Sequence, residues 1–164
     1  MTIRSVSECI EEWQEHSWDE IISLITQFRD ISKAEYFILD DAESYDSPIA
    51  YVALLDEMAE LLKDEFSITN ISHTTTTSGW VFNFFADGQE ESIILNVSSP
   101  EWFENNFLSQ FNLILQKYDH QNIARMVHTT SVDRIDQCFN ICFLSDSQFQ
   151  ALQVSKPAFA FEDE

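Results

Sequence analysis

The sequence predicts an α+β fold, in which N-terminal helices are followed by a mostly antiparallel sheet of about five strands with a long helix packed on it. Apolar residues in the first 66 positions recur at intervals of three and four, which is helical spacing. After residue 66, short segments are rich in β-branched and alternating apolar residues. The 164 residues include only two Gly and three Pro, and no linker divides them. We therefore expect a single domain over 1–164, with a helical, acidic part (1–66), a sheet with a helix (67–155) and a tail (156–164).

Three helices are predicted in the first part. The first is short, and its polar side is an acidic stripe formed by Glu8, Glu11, Glu12 and Glu15. The second spans about 17–31, because Ser17 and Glu20 have the spacing of a capping box. The third begins at Ser47-Pro48, because proline suits the first helical position. Its buried side is predicted to consist of Tyr51, Leu54, Leu55, Met58, Leu61 and Leu62.

The second part begins with a predicted three-stranded hairpin arrangement. Its strands are 68–76, 80–86 and 92–97, and Asp87-Gly88 is a hairpin turn between the last two. Ser99-Pro100 predicts the start of a long helix to about 118, with an apolar stripe of Phe103, Phe107, Phe111, Ile114 and Tyr118. We expect Trp80, Phe82 and Phe84 to pack against this stripe.

The remaining segments complete the predicted sheet. Strand composition returns at 124–130 and 137–144. Residues 149–154 have the composition of a short terminal helical turn, and the acidic tail contains two phenylalanines. The predicted order is therefore three helices, three strands, one helix and two strands.

Charge is the strongest functional signal in the sequence. The chain has 29 acidic and 8 basic residues, a net charge of −21. A phosphate backbone would be repelled by this charge, so nucleic-acid binding driven by electrostatics is excluded, and a basic partner is expected. No segment approaches the about 18 apolar residues of a membrane span, and the first residues lack a signal-peptide pattern. We expect a cytoplasmic protein without a membrane partner.

The residues that usually carry chemistry form no recognisable set. Two glycines are too few for a phosphate-binding loop, and the four histidines are scattered. Cys138 and Cys142 are four residues apart on a predicted strand, which is typical of small buried side chains. A Cys142, His128 and Asp136 set could be assembled, as in most chains of this composition. We expect no catalytic residues, no metal site and no cofactor.

The acidic clusters are the candidate binding residues. A charged stripe is commonly a solvated face, but a net charge of −21 repels itself, so the excess favours a docking surface. An exposed acidic loop at 40–46, one helix face and the hairpin turn are the positions of interest, with Tyr36, Tyr45 and Tyr51 as possible aromatic anchors. The predicted partner-binding residues are Asp40, Asp41, Glu43, Tyr45, Asp46, Glu57, Glu60, Asp87, Glu90 and Glu91.

This profile resembles the immunity proteins of bacterial contact-dependent growth inhibition and related polymorphic toxin systems. Like this chain, those immunity proteins are small, acidic, cofactor-free α+β chains with few glycines and no catalytic signature. The resemblance implies a monomer that binds one cognate basic toxin domain, often a nuclease, and neutralises it by covering its active site. Carboxylates would pair with the Lys and Arg that hold phosphate in the toxin.

Three alternatives remain open at this stage. The first is a nucleic-acid mimic, such as an anti-restriction protein or another nuclease inhibitor, which should carry one long track of charge. The second is an enzyme with an unusual site. The third is an adaptor whose acidity serves only solubility.

Overall fold

The computed structural model of the chain describes residues 2–15, 26–31, 33, 35–97, 103–129, 138–154 and 159–161. It divides into two compact units: Met1–Asp40 with Leu115–Asp163 (unit 1), and Asp41–Ile114 (unit 2). In chain order the elements are β1 (Thr2–Ser5), α1 (Val6–Glu15), α2 (helical residues 26–31), β2 (Tyr36–Asp41), a 3-10 turn (Ala42–Ser44), α3 (Pro48–Leu62), β3 (Ile68–Thr75), β4 (Gly79–Ala86), β5 (Gln89–Asn96), α4 (Asn106–Lys117), β6 (Ile123–Thr129), β7 (Cys138–Leu144), α5 (Asp146–Val154) and β8 (Phe159–Phe161). The predicted α+β class is confirmed.

The predicted single sheet of about five strands is wrong, because the strands belong to two sheets. Strands β3, β4 and β5 form a three-stranded antiparallel sheet, whereas β6 and β7 belong to a second sheet with the order β1-β2-β7-β6-β8. In that second sheet the pairs β1–β2, β6–β7 and β6–β8 are antiparallel. The sequence pattern predicted strands β3 to β7 but did not predict β2. Local patterns do not specify which strands pair.

Strand β7 lies in the middle of the second sheet, and both of its faces are buried. Ile141 and Cys142 point to opposite faces, yet both are almost inaccessible to solvent. Cys142 therefore packs as a small buried side chain, as predicted, and so does Cys9 in α1. The side chain of Cys138 lies outside the described residues.

Helix α1 begins with a capping box. The Ser5 hydroxyl accepts a hydrogen bond from the Glu8 N–H (3.1 Å), and the Glu8 carboxylate accepts one from the Ser5 N–H (3.2 Å). The sequence has this signal at Ser5-Val6-Ser7-Glu8, but the prediction placed a box at Ser17 and Glu20, which lie outside the described residues. The end of the predicted second helix agrees with α2.

Unit 2 follows the predicted local signals closely. Pro48 is the first residue of α3, after Ser47 in an extended conformation. The turn at Asp87-Gly88 has positive φ at both positions (48° and 79°), which is a type I′ hairpin turn. The buried side of α3 comprises Tyr51, Leu54, Leu55, Met58 and Leu62, as predicted apart from Leu61.

The core of unit 2 is an aromatic cluster centred on Tyr51. Its ring centroid lies within 6 Å of five other rings: Tyr45 (4.8 Å), Phe107 (5.0 Å), Phe82 (5.5 Å), Phe103 (5.7 Å) and Trp80 (5.9 Å). Phe82 also meets Phe107 edge-on at 5.7 Å. Helices α3 and α4 are thereby packed on one face of the three-stranded sheet, as expected for Phe82 and Phe107.

Helix α4 begins later than predicted. Phe103 and Glu104 precede the helix, which starts at Asn106, and residues 98–102 lie outside the described residues. The Phe103 ring packs in the aromatic cluster while the Glu104 N–H donates to the Tyr51 hydroxyl (2.9 Å). These contacts stabilise a non-helical conformation of Phe103 and Glu104, whereas the Ser-Pro signal alone predicts a helix there.

Candidate partner-binding surface

Negative charge is concentrated in unit 2. Its 74 residues contain 13 carboxylates and one basic residue, Lys63, a net charge of −12. The 89 residues of unit 1 contain 15 carboxylates and seven basic residues, a net charge of −8. Unit 1 comes from both ends of the chain and unit 2 from its middle, so the most acidic part is the central segment.

The single lysine of unit 2 is already paired. The Lys63 ammonium donates to the Glu60 carboxylate one helical turn away, at the C-terminal end of α3. This hydrogen bond, together with the charges of Glu60 and Asp64, raises the pKa of Lys63. Glu60, a predicted binding residue, is therefore exposed but partly neutralised.

The acidic segment 40–46 differs from the predicted exposed loop. Asp40 and Asp41 end strand β2, and Glu43 belongs to the 3-10 turn. Glu43 and Asp46 are exposed, as predicted, whereas the side chains of Asp40 and Asp41 lie outside the described residues.

The prediction of Tyr45 as a surface anchor is wrong. Tyr45 is 1% exposed, and its ring meets the rings of Tyr51 and Phe103 edge-on at 4.8 and 4.9 Å. Tyr51 is buried as well, so neither ring can anchor a partner. Tyr36 is exposed. The acidic neighbours of Tyr45 suggested a surface position, but its partners in the core come from α3 and from the segment before α4.

The hairpin turn separates the three carboxylates that the sequence groups together. Asp87 is exposed at the turn, and its carboxylate accepts a hydrogen bond from the Ser67 N–H (2.9 Å). Glu90 is exposed and pairs with Phe85 on the face away from α3 and α4, whereas Glu91 is half-buried opposite Phe84 on the helix-covered face. Glu90 and Glu91 cannot contact the same partner surface, because adjacent strand residues point to opposite faces.

The hairpin turn lies beside the end of α3, which the sequence does not reveal. Ser67 and Asp87 are joined by two hydrogen bonds, one from the Asp87 N–H to the Ser67 carbonyl (2.9 Å) and one from the Ser67 N–H to the Asp87 carboxylate (2.9 Å). Asp64 and Glu65, both exposed, precede Ser67 by only two or three positions. Asp64, Glu65 and Asp87 are thus exposed carboxylates that each lie near Ser67, the first two along the chain and the third through hydrogen bonds; we call them the α3-end patch, of which only Asp87 was predicted.

The α3-end patch is electrostatically unfavourable for the isolated chain. The C-terminus of a helix carries a partial negative charge, which cationic side chains normally complement. The last turn of α3 contains no basic residue; Lys63, which follows it, is the one cation there and is paired with Glu60, and the carboxylates of Asp64 and Glu65 come next. A cationic partner would relieve this repulsion.

The other predicted charges occupy separate surfaces. The acidic stripe Glu8, Glu11, Glu12 and Glu15 is exposed on α1 in unit 1, as the periodicity predicts. Glu57 of α3 is half-buried, whereas Asp56 and Glu60 of the same helix are exposed.

No family model, curated protein or solved structure was found to match this chain. In the part of the chain that the structure describes, no group of three His, Cys, Asp or Glu side chains could hold a metal ion. None of the helices described there combines the length and the hydropathy of a membrane-spanning segment. Charge and the exposed surface of unit 2 are therefore the features of the chain that bear on its function.

Proposed function

We propose that this chain is an immunity protein, which binds a cognate basic toxin domain and neutralises it by electrostatic occlusion of its active site. The observation that supports this proposal most strongly is the charge of unit 2, which contains 13 carboxylates and a single lysine that is already paired with Glu60. A surface of this kind attracts a cationic protein over long range and repels nucleic acid.

Occlusion requires no chemistry from this chain. A nuclease presents Lys and Arg side chains to hold phosphate, and carboxylates at suitable positions accept hydrogen bonds from the same donors. The α3-end patch supplies carboxylates from two parts of the chain, held together by the two Ser67–Asp87 hydrogen bonds. The proposed complex is one-to-one and cytoplasmic, without cofactor, metal or membrane.

The test uses the protein domain encoded beside this gene as the probe. The chain and that domain are co-expressed, and growth is compared with expression of the domain alone; the purified pair is then examined by calorimetry and in a nuclease assay. We expect growth rescue, a stoichiometry of one and loss of nuclease activity.

Two results would contradict the proposal. One is a neighbouring domain that neither binds the chain nor is inhibited by it. The other is turnover of a small substrate by the purified chain, which would favour an enzyme. Inhibition of many unrelated DNA-binding nucleases would instead favour the nucleic-acid mimic.

A further inference from the structure

The three-stranded sheet of unit 2 has one face covered by helices and one open face. Strand register places three cross-strand pairs of β4 and β5 on the open face: Val81 with Ile94, Asn83 with Ser92, and Phe85 with Glu90. None of these six side chains is buried. We call them the outer sheet face.

The outer sheet face has exposed apolar side chains at both of its ends. Ile94 is 51% exposed and Phe85 is 37% exposed, and both are large hydrophobic side chains. They lie at the two ends of the face, with the polar Asn83–Ser92 pair between them. At about 3.3 Å per residue, Val81 and Phe85 are separated by roughly 13 Å along the strand. Two exposed apolar sites this close together can be covered by one partner surface.

The pair of Phe85 and Glu90 has the chemistry of a guanidinium site. The two residues are directly opposite each other on antiparallel strands, where side chains are about 5 Å apart. A guanidinium group can lie over an aromatic ring while it donates hydrogen bonds to an adjacent carboxylate. The Val81–Ile94 pair would accept an apolar side chain at the other end.

Charge decides among the possible occupants of this face. A second copy of the chain would bring a unit of net charge −12 against another of −12, and nucleic acid would be repelled in the same way. A cationic protein is attracted. We propose that the outer sheet face is the docking surface for a cationic protein domain, with an arginine of that domain between Phe85 and Glu90 and an apolar side chain at Val81 and Ile94.

This inference rests on the proposed function and locates its interface. It differs from the expectation based on the acidic loop, because the central contacts come from β4 and β5, while the carboxylates of the α3-end patch steer the partner. Interfaces commonly have a small apolar and aromatic centre with a charged rim.

The test compares two substitutions that make the same change of charge. Ile94→Arg places a cation in the outer sheet face, whereas Leu113→Arg places one on α4 of the same unit, where Leu113 is 65% exposed. Affinity for the domain encoded beside this gene is measured by calorimetry. We expect Ile94→Arg to weaken binding by about a hundredfold or more and Leu113→Arg by less than about threefold.

Two further variants keep the test interpretable if an arginine disturbs the strand. Ile94→Thr retains a β-branched residue, and Phe85→Leu retains apolar area without the aromatic ring; each is expected to weaken binding by roughly tenfold. Thermal unfolding confirms that each variant is folded.

The outcomes separate the two proposals. If the parent binds the domain and all three outer-face variants bind equally well, the docking surface lies elsewhere, and this inference is overturned while the proposed function stands. If the folded parent does not bind the domain at all, both are overturned.

Discussion

The hydroxyl of Tyr51 accepts a hydrogen bond from the backbone N–H of Glu104 over 2.9 Å. This bond joins α3 to the segment that precedes α4, in the middle of the aromatic cluster. The pKa of Tyr51 is raised to about 12, mainly by burial; the hydrogen bond from the Glu104 N–H opposes this rise, and the negative charge of the Glu104 side chain contributes to it. The neutral hydroxyl is therefore the form that the folded chain stabilises.

Substitution of Tyr51 by Phe tests this relationship. It removes the acceptor of the Glu104 N–H, and we expect the free energy of unfolding to fall by about 1 kcal/mol at pH 7. Because the pKa of Tyr51 is higher in the folded chain than the usual value of about 10, its stabilising contribution is complete below pH 10 and is lost as the pH rises toward 12. Urea unfolding at several pH values should show a weaker decline between pH 10 and 12 for Tyr51→Phe than for the parent. Tyr36→Phe, at an exposed position, is the matched control and should behave as the parent.

Gln110 protects the open edge of strand β5. Its side-chain amide makes two hydrogen bonds to Ile94, accepting from the N–H (2.9 Å) and donating to the carbonyl (2.7 Å). The amide thus replaces a neighbouring strand at an edge that could otherwise pair with another chain. We expect Gln110→Ala to accelerate hydrogen exchange of the Ile94 amide and to cost about 1–2 kcal/mol of stability. Gln116→Ala, on the exposed side of the same helix, should change neither; protection of the Ile94 amide in Gln110→Ala would show that the bond is unimportant.

Asp87 combines a turn position with a charge, and two substitutions separate these roles. Asn tolerates positive φ and retains the oxygen that accepts from Ser67, so Asp87→Asn should leave stability almost unchanged while weakening partner binding. Asp87→Ala loses both features and should destabilise the chain by about 1–2 kcal/mol. Denaturant unfolding measures the stability of both variants, and calorimetry measures their binding to the partner. Equal stability of the two variants would argue against a structural role for this carboxylate.

The structural role of Glu8 in the capping box of α1 can likewise be separated from its charge by substitution. Glutamine serves at this position of the box, so Glu8→Gln should preserve stability although it removes one charge of the acidic stripe. Ser5→Ala should lower the free energy of unfolding by about 1 kcal/mol. Thermal unfolding of the two variants gives the comparison, and a Ser5→Ala protein as stable as the parent would contradict the role of the box.

Local signals predicted the elements of unit 2 and failed on the contacts between elements. Ser47-Pro48 and Asp87-Gly88 each fix backbone geometry within a few residues, so α3 and the hairpin were predictable. Strands β1 and β8 are only four and three residues long, and their pairing partners are distant in sequence. Short strands of this kind gain their stability from the completed sheet, and no local pattern reveals them.

The sequence predicted the acidic character of the candidate surface, but it did not predict which carboxylates lie on the same side of the unit. The alternation of strand side chains could have separated Glu90 from Glu91, because that signal has a period of two. The burial of Tyr45 depends on the distant rings of Tyr51 and Phe103, and the proximity of Asp87 to Asp64 depends on bonds to Ser67. These are long-range contacts that a single sequence does not display.

The most direct test of the central claim is the rate of association with the domain encoded beside this gene, measured by stopped flow between low and high salt. Two triple variants change the net charge equally: Asp64→Asn, Glu65→Gln and Asp87→Asn in unit 2, and Glu11→Gln, Glu12→Gln and Glu15→Gln in unit 1. If the carboxylates of unit 2 attract the partner to this unit, the rate for the parent falls steeply with salt, and the unit 2 variant associates more slowly than the unit 1 variant at low salt. A rate that is independent of salt, or two variants that associate equally fast, would contradict the account.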